Sequence, residues 1–174
     1  LAWRQHIRSW LEAHPSLSDN ISKEDFQCRC GKCQKECKIS LTLVGILEDL
    51  TNKLQTKLTV KRGYVCEDTE IKEPGARKNY HGNGKAVDIA LAPEKLVEAF
   101  RYLETFPEIT GLGFNITENY IHLDVREKEP VKYIYQHNEE ILLTEDNRDK
   151  YGLGEPVQRP EAIKPVSLEL PVEI

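Results

Sequence analysis

The stretch His81-Gly-Asn-Gly-Lys-Ala-Val-Asp88, together with Tyr120-Ile-His-Leu-Asp124, carries the strongest chemical signal in this chain. The glycines of the first stretch allow a sharp turn after His81, and the residues that follow are typical of a half-buried strand carrying Asp88. The second stretch alternates like another strand, and its period of two puts His122 on the same face as the aspartate that ends it. If the two strands pair, His81, Asp88 and His122 converge and close three sides of a tetrahedral zinc site, leaving the fourth for water.

The chain contains five histidines, and most histidines in proteins lie at the surface or in ordinary hydrogen bonds. His6, His14 and His137 have no distinctive neighbours, so we expect no ligand role for them. His81 and His122 each stand inside a specific pattern, and we predict that this pair binds one metal ion.

The pattern H-x-x-G-x-A-x-D, followed by an apolar strand bearing H-x-D, resembles the zinc D-Ala-D-Ala carboxypeptidase superfamily. That superfamily also includes phage and bacterial peptidoglycan endopeptidases and the hedgehog signalling domain. Further segments resemble its small peptidoglycan-hydrolase branch in the same order, so that the resemblance covers roughly residues 21–136. They are an entry segment at 21–31, a helix at about 40–55, a strand with a Gly-Tyr turn at 58–66, and Gly-Leu-Gly-Phe at 111–114.

The resemblance implies a hedgehog/DD-peptidase-like zinc fold: α+β, with a small, mainly antiparallel sheet and helices packed against one side. It implies a single zinc ion bound by His81, Asp88 and His122. It further implies hydrolysis of peptidoglycan stem peptides, by a carboxypeptidase or an endopeptidase, in the cell envelope, the periplasm or outside the cell; a phage-encoded lysin fits the same pattern. The chain opens on Leu1 and contains no methionine, so we expect that an upstream piece, which could hold an export signal, has been removed.

Three positions depart from the family pattern, and each bears on catalysis. The family usually has a substrate-holding arginine after the Gly-Tyr turn, where this chain has Val65, and a serine where it has Asn79. Many members carry a catalytic acid three residues before the second histidine, where this chain has Asn119. We therefore keep a second interpretation, in which the chain is a catalytically impaired zinc-containing binding or signalling module of the same fold.

A metallopeptidase needs a base that takes the proton from the metal-bound water and passes it to the leaving amine. The nearest candidates are Glu118, one residue from the usual position, and Asp124, on the strand face of His122. Because a strand residue one position off points to the opposite face, we predict Asp124 as the better candidate and Glu118 as the alternative.

Composition and charge exclude several other classes of protein. Hydrophobic residues make up 39% of the 174 residues and charged residues 30%, as in ordinary globular proteins. No run approaches the roughly 18–20 apolar residues of a membrane span. The formal net charge of −5 falls within residues 138–174, and residues 1–137 balance. No basic face for phosphates emerges, so we expect no nucleic-acid partner.

The pattern of apolar and proline residues predicts three regions. Residues 1–20 form an N-terminal helix, over about 2–13, and a connector. Residues 21–137 form the zinc peptidase-like domain, with a further helix opening at Pro93, a long loop over 67–80 and a last strand at 131–136. Residues 138–174 form an acidic extension whose prolines indicate an extended tail.

The cysteines leave three interpretations open. Cys28, Cys30, Cys33 and Cys37 lie within ten residues, and Cys66 stands apart. The crowded group could bind a second metal, although structural zinc sites usually combine two separated C-x2-C pairs. A disulfide from the group to Cys66 is the favoured interpretation, since the resemblance implies that the two segments meet in the fold, and free thiols are the third.

Overall fold

The computed structural model describes residues 16–33, 37–66, 80–137 and 139–157. The predicted helix over 2–13, nearly all of the predicted loop over 67–80, and the proline-containing residues after 157 lie outside the described residues. Within the described ranges, no helix is long and apolar enough to cross a membrane.

Two α-helices and six strands build the described part of the chain, together with short 3-10 turns. The predicted helices near 40–55 and from Pro93 are confirmed, as is the predicted strand over 131–136. The helices are α1 (Leu41–Leu54) and α2 (Pro93–Leu103), and the strands are β1 (Thr59–Arg62), β2 (Ala86–Ala90), β3 (Gly111–Asn115), β4 (Tyr120–Asp124), β5 (Val131–Gln136) and β6 (Glu139–Leu142).

Both helices have the spacing of apolar residues that buries one stripe. In α1, Leu43, Leu47 and Leu50 recur at intervals of three and four and are fully buried. The helix ends at Leu54, and the next residue, Gln55, takes a left-handed φ of 50°. Proline suits the first position of α2 because it has no N–H to leave unpaired there.

The six strands form one sheet in the order β1-β2-β4-β3-β5-β6. The expectation of a mainly antiparallel sheet is corrected to a mixed sheet, because β5 runs parallel to β3 while the other neighbouring strands are antiparallel. Both sides of β4 are already occupied, by β2 and by β3. The next strand, β5, therefore adds to the free edge of β3. Because β5 runs opposite to β4, and β4 runs opposite to β3, β5 is parallel to β3.

The two faces of the sheet have different chemistry. Val87, Ile89, Ile121 and Leu123 point to one face and join the helices in the main hydrophobic core. The alternate residues of the same strands, including Asp88 and His122, therefore lie on the opposite face. Helices thus support the sheet from behind, and its other face is left for the polar site.

The first part of the predicted acidic extension packs onto the sheet and α2. Strand β6 pairs with β5, and Leu143 and Leu153 belong to the hydrophobic core. The Arg148 guanidinium binds both carboxylate oxygens of Glu104, just after α2, at 2.6 and 2.7 Å. The domain limit at residue 137 stays a prediction, and the structure adds that residues 139–157 pack against the part before it.

Candidate metal centre

Two paired strands and one turn bring the predicted ligands together. Asp88 on β2 lies directly opposite His122 on β4 in the antiparallel register. His81 enters from the turn before β2, which Gly84 closes with a φ of 68° and an N–H donated to the His81 carbonyl at 3.0 Å. A side chain at Gly84 would also collide with the backbone of Lys38, at 2.6 Å. Glycine is therefore required for two separate reasons at this position.

The three side chains offer donor atoms at the spacing of a metal site. One donor atom from each of His81, Asp88 and His122 lies within 4.8 Å of the other two. Asp88 Oδ1 is 3.5 Å from His81 Nε2 and 2.7 Å from His122 Nδ1. Tetrahedral zinc ligands at about 2.0–2.2 Å from the ion lie about 3.3–3.6 Å apart, so a small separation of Asp88 from His122 accommodates the ion.

The orientation of His81 is set by a backbone carbonyl. Its Nδ1 lies 2.9 Å from the oxygen of Gly63, and a carbonyl can only accept a hydrogen bond. Nδ1 therefore carries the proton in the neutral ring, and Nε2 presents its lone pair toward Asp88. This arrangement, a metal-binding imidazole held from behind by an acceptor, is the one that zinc sites commonly use.

His122 lies between two carboxylates. Its Nδ1 faces Asp88, and its Nε2 lies 3.1 Å from Oδ2 of Asp124. Asp124 is fully buried and is held by Arg126, whose Nε donates to Oδ1 at 2.5 Å and whose Nη2 donates to Oδ2. Gly111 on the neighbouring strand makes room for this pair, because a Cβ there would overlap the Asp124 carboxylate.

The charges of the site favour binding of a cation. Burial alone would raise the pKa of Asp88, but contacts with His122 and His81 outweigh burial and hold that pKa well below its ordinary value. Burial likewise lowers the pKa of His122, and the hydrogen bonds to Asp124 and Asp88 overcome it, raising the pKa to about 9. A metal ion held by His122 would take the place of one of the protons of the imidazolium.

The donor set fits zinc by its chemistry. Two imidazoles and one carboxylate are a combination that catalytic zinc sites use, with a fourth position open for water or substrate. His81 and Asp88 are buried, and the side chain of His122 is 14% exposed, so the site keeps limited access to solvent.

Glu118 lies in the turn that precedes β4, since the strand begins at Tyr120. Its carboxylate is exposed and pairs with Lys61 at 3.2 Å. Asn119 follows with a left-handed φ of 54°, a conformation that asparagine tolerates well. Strand alternation therefore does not turn Glu118 away from the face of His122, because the turn interrupts the extended backbone between Glu118 and His122.

Val65 is buried beside the cysteine-bearing segment, and Asn79 lies outside the described residues. Sequence reasoning did not single out Arg126 or the Gly63 carbonyl. Arg126 could have been found, because it follows Asp124 at the strand period of two. The Gly63 contact has no sequence signal, since any residue supplies a carbonyl.

The comparison with protein families gives a match over most of the chain. A model of the family described as peptidase M15 matches residues 19–124, a span that holds His81, Asp88 and His122. The chain belongs to the peptidase M15 family. Its membership confirms the superfamily resemblance given by the motifs, and M15 peptidases are zinc-dependent. A comparison with curated proteins finds no match to this M15 chain.

Proposed function

We propose that the protein is a zinc-dependent peptidase that hydrolyses peptide bonds of peptidoglycan stem peptides. The observation that carries the proposal is the convergence of His81, Asp88 and His122 on the face of the sheet opposite the helices, in a chain of the M15 family. Three protein ligands leave a position for water, which is the composition of a catalytic rather than a purely structural zinc site.

The ion bound there would polarise the scissile carbonyl and lower the pKa of its water toward neutrality. Asp88 contributes the negative charge of the ligand set. Gly63 fixes the tautomer of His81 through its carbonyl, and Asp124 holds His122 through Nε2. These contacts keep the donor nitrogens aimed at one point, so that little reorganisation is needed when the ion and the substrate bind.

Two carboxylates are candidates for the acid–base group, and their surroundings differ. Both oxygens of Asp124 are engaged by Arg126, and one also contacts His122. Burial raises the pKa of Asp124, and Arg126 and His122 outweigh burial and lower it, which makes it a weak base. Its contacts therefore favour a positioning role, while its assignment as acid–base group stays a prediction.

The Glu118 carboxylate lies at the surface, where it pairs with Lys61. It must exchange the ion pair with Lys61 for the metal-bound water in order to serve as acid–base group. An exposed ion pair of this kind contributes about 0–1 kcal/mol, so the exchange has little cost. We propose Glu118 as the carboxylate with the freedom to move a proton.

The second candidate function is a zinc-containing binding or signalling module. Asn119 supports it, because an exposed amide occupies the position where many relatives carry a catalytic acid. Val65 supports it as well, because a buried valine replaces the usual substrate-holding arginine.

The test is to incubate the zinc-loaded protein with purified peptidoglycan and to identify new amines and carboxylates by mass spectrometry. The position of the new ends separates carboxypeptidase from endopeptidase activity. The matched control is Asp88→Asn, which keeps the shape of the ligand and removes its charge, and should lose the zinc ion of the histidine site and form no product. If the wild-type protein holds zinc at His81 and His122 and releases no product but binds the peptides, the binding-module interpretation replaces the proposal.

A further inference from the structure

A second group of metal-binding side chains lies apart from the histidine site. One sulfur from each of Cys28, Cys30, Cys33 and Cys66 lies within 4.8 Å of the other three. Cys30 Sγ is 3.4 Å from Cys33 Sγ and 3.5 Å from Cys66 Sγ. Cys28 and Cys66 are buried with Tyr64 in a small cluster separate from the main core.

These sulfur separations match four thiolates around one ion. Zinc binds thiolate sulfur at about 2.3 Å, so tetrahedral geometry places neighbouring sulfurs about 3.8 Å apart. Two cysteines joined by a disulfide have their sulfurs only about 2.05 Å apart.

Backbone N–H groups donate to two of the four sulfurs. The N–H groups of Lys32 and Cys33 both donate to Cys30 Sγ at 3.3 Å, and the N–H of Cys66 donates to Cys28 Sγ at 3.4 Å. Such donors stabilise the charged form of a sulfur and orient it, as outer-shell groups do at structural metal sites. The Arg29 guanidinium donates to the carbonyl oxygens of Val60 and Lys61 at 3.0 and 3.5 Å, which fastens the segment that carries Cys30 to β1.

The fifth cysteine is separated from this group by its surroundings. Cys37 packs against the main hydrophobic core, and burial raises the pKa of its thiol. The spatial pattern is therefore C-x-C-x2-C followed by the distant Cys66, and not the four neighbouring cysteines of residues 28–37. An odd number of cysteines is accounted for by four ligands and one partly buried thiol.

We propose that Cys28, Cys30, Cys33 and Cys66 bind a second zinc ion in a closed structural site. On binding, each thiol releases its proton to solvent and its sulfur forms one bond to Zn²⁺. All four positions are filled by protein, so this ion has no open position for substrate.

The second ion would stabilise the backbone that orients His81. Gly63, whose carbonyl accepts from His81, lies three residues before Cys66. The adjacent Tyr64 N–H donates to the Phe26 carbonyl at 2.9 Å, and a Cβ at Gly63 would collide with Phe26 at 2.6 Å. Zinc at the cysteines joins the segment after Phe26 to the segment after Gly63. This consequence rests on the proposed function, whereas the cysteine site itself does not.

The experiment measures metal content on the full chain, purified with zinc and without chelator. We expect two zinc equivalents in the wild-type protein and one in the His81→Ala/His122→Ala double variant. Replacing the remaining ion of that variant with Co²⁺ should give the intense near-ultraviolet charge-transfer band of cobalt–thiolate bonds. This readout needs no activity, so it separates failure of the cysteine proposal from failure of the proposed peptidase.

The cysteine variants supply the matched comparison. Cys30→Ser should lose one zinc equivalent, and Cys37→Ser should keep both. The proposal would be overturned if the double variant held no zinc and gave no cobalt–thiolate band. Alkylation would then distinguish free thiols from disulfides, and the intact mass would show the hydrogens lost if disulfides had formed. Because Cys30→Ser could fail to fold, the cobalt spectrum of the double variant is the deciding measurement.

Discussion

At the scale of single residues, His122 shows how two carboxylates can have different tasks at one imidazole. Asp88 faces Nδ1 and Asp124 faces Nε2, so only the first can share a metal ion with the ring. Arg126 neutralises Asp124 and fixes its direction. The charge available to a metal therefore comes from Asp88, while Asp124 determines how the ring is turned.

Replacing Asp124 with Asn tests this division of tasks. The amide cannot keep the ion pair with Arg126, so the orientation of His122 should loosen and zinc affinity should fall by about 10–100-fold. Zinc titration against a competing chelator measures this fall, and turnover at saturating zinc measures what remains of catalysis. If the variant holds zinc like wild type but loses about 10²–10⁴-fold in turnover, Asp124 is the acid–base group. Glu118→Gln, which should leave zinc affinity unchanged, is the comparison.

Gly111→Ala should damage the same site from the neighbouring strand. A Cβ at this position overlaps the Asp124 carboxylate and meets Arg126, and both groups are confined. We expect a loss of about 1–3 kcal/mol in the free energy of unfolding, as for other overpacked positions, together with weaker zinc binding. The control is Gly45→Ala on α1, where a Cβ meets nothing within 4 Å and should stabilise the helix by about 0.5–1 kcal/mol. Equal effects of the two variants in a urea titration would contradict the packing argument.

At the scale of elements, a buried ion pair fastens the segment after β6 to the end of α2. The Glu104 side chain is 1% exposed and receives Arg148 on both oxygens and Lys132 on one, at 3.1 Å. The Arg148 Nε also donates to the Gly154 carbonyl at 2.6 Å. Helix α2, strand β5 and the residues up to 154 are therefore connected through a single carboxylate.

The Glu104 ion pairs should make stability depend on pH in a known direction. Burial raises the pKa of Glu104, but Arg148 and Lys132 outweigh it, so the folded pKa lies below the ordinary value of 4.5. A carboxyl whose folded pKa is depressed contributes stability above its unfolded pKa and loses it as pH falls through the folded pKa. Glu104→Gln should therefore cost about 3–5 kcal/mol at neutral pH, and the difference from wild type should shrink in acid.

Urea unfolding of the two proteins, from neutral pH down through the ordinary pKa of 4.5 and below it, measures the effect. Glu98→Gln is the control, because its pair with Lys95 is about half exposed and should contribute about 0–1 kcal/mol. A Glu104→Gln deficit that is the same at every pH would mean that the variant acts by packing and not by charge.

At the scale of the whole molecule, the predictable features were those that depend on local pattern. Apolar spacing gave both described helices, and alternation gave the strands that bear Asp88 and His122. The parallel pairing of β3 and β5 was not predictable, because it depends on which strand edge remains free after β4 inserts. The family resemblance placed Cys66 near the cysteines of residues 28–37, but nothing in the sequence distinguished Cys28, Cys30 and Cys33, which lie beside Cys66, from Cys37, which packs against the main core.

Two truncations test which part of the acidic extension belongs to the fold. Ending the chain after Val157 keeps β6, Leu143, Leu153 and Arg148, so the melting temperature and zinc content should stay close to wild type. Ending it after His137 removes two core leucines, each of which contributes about 2–5 kcal/mol when buried, and also leaves Glu104 without Arg148. That shorter chain should unfold at a much lower temperature. Calorimetry and metal analysis compare the two, and a large loss in the longer chain would show that residues after 157 pack onto the domain.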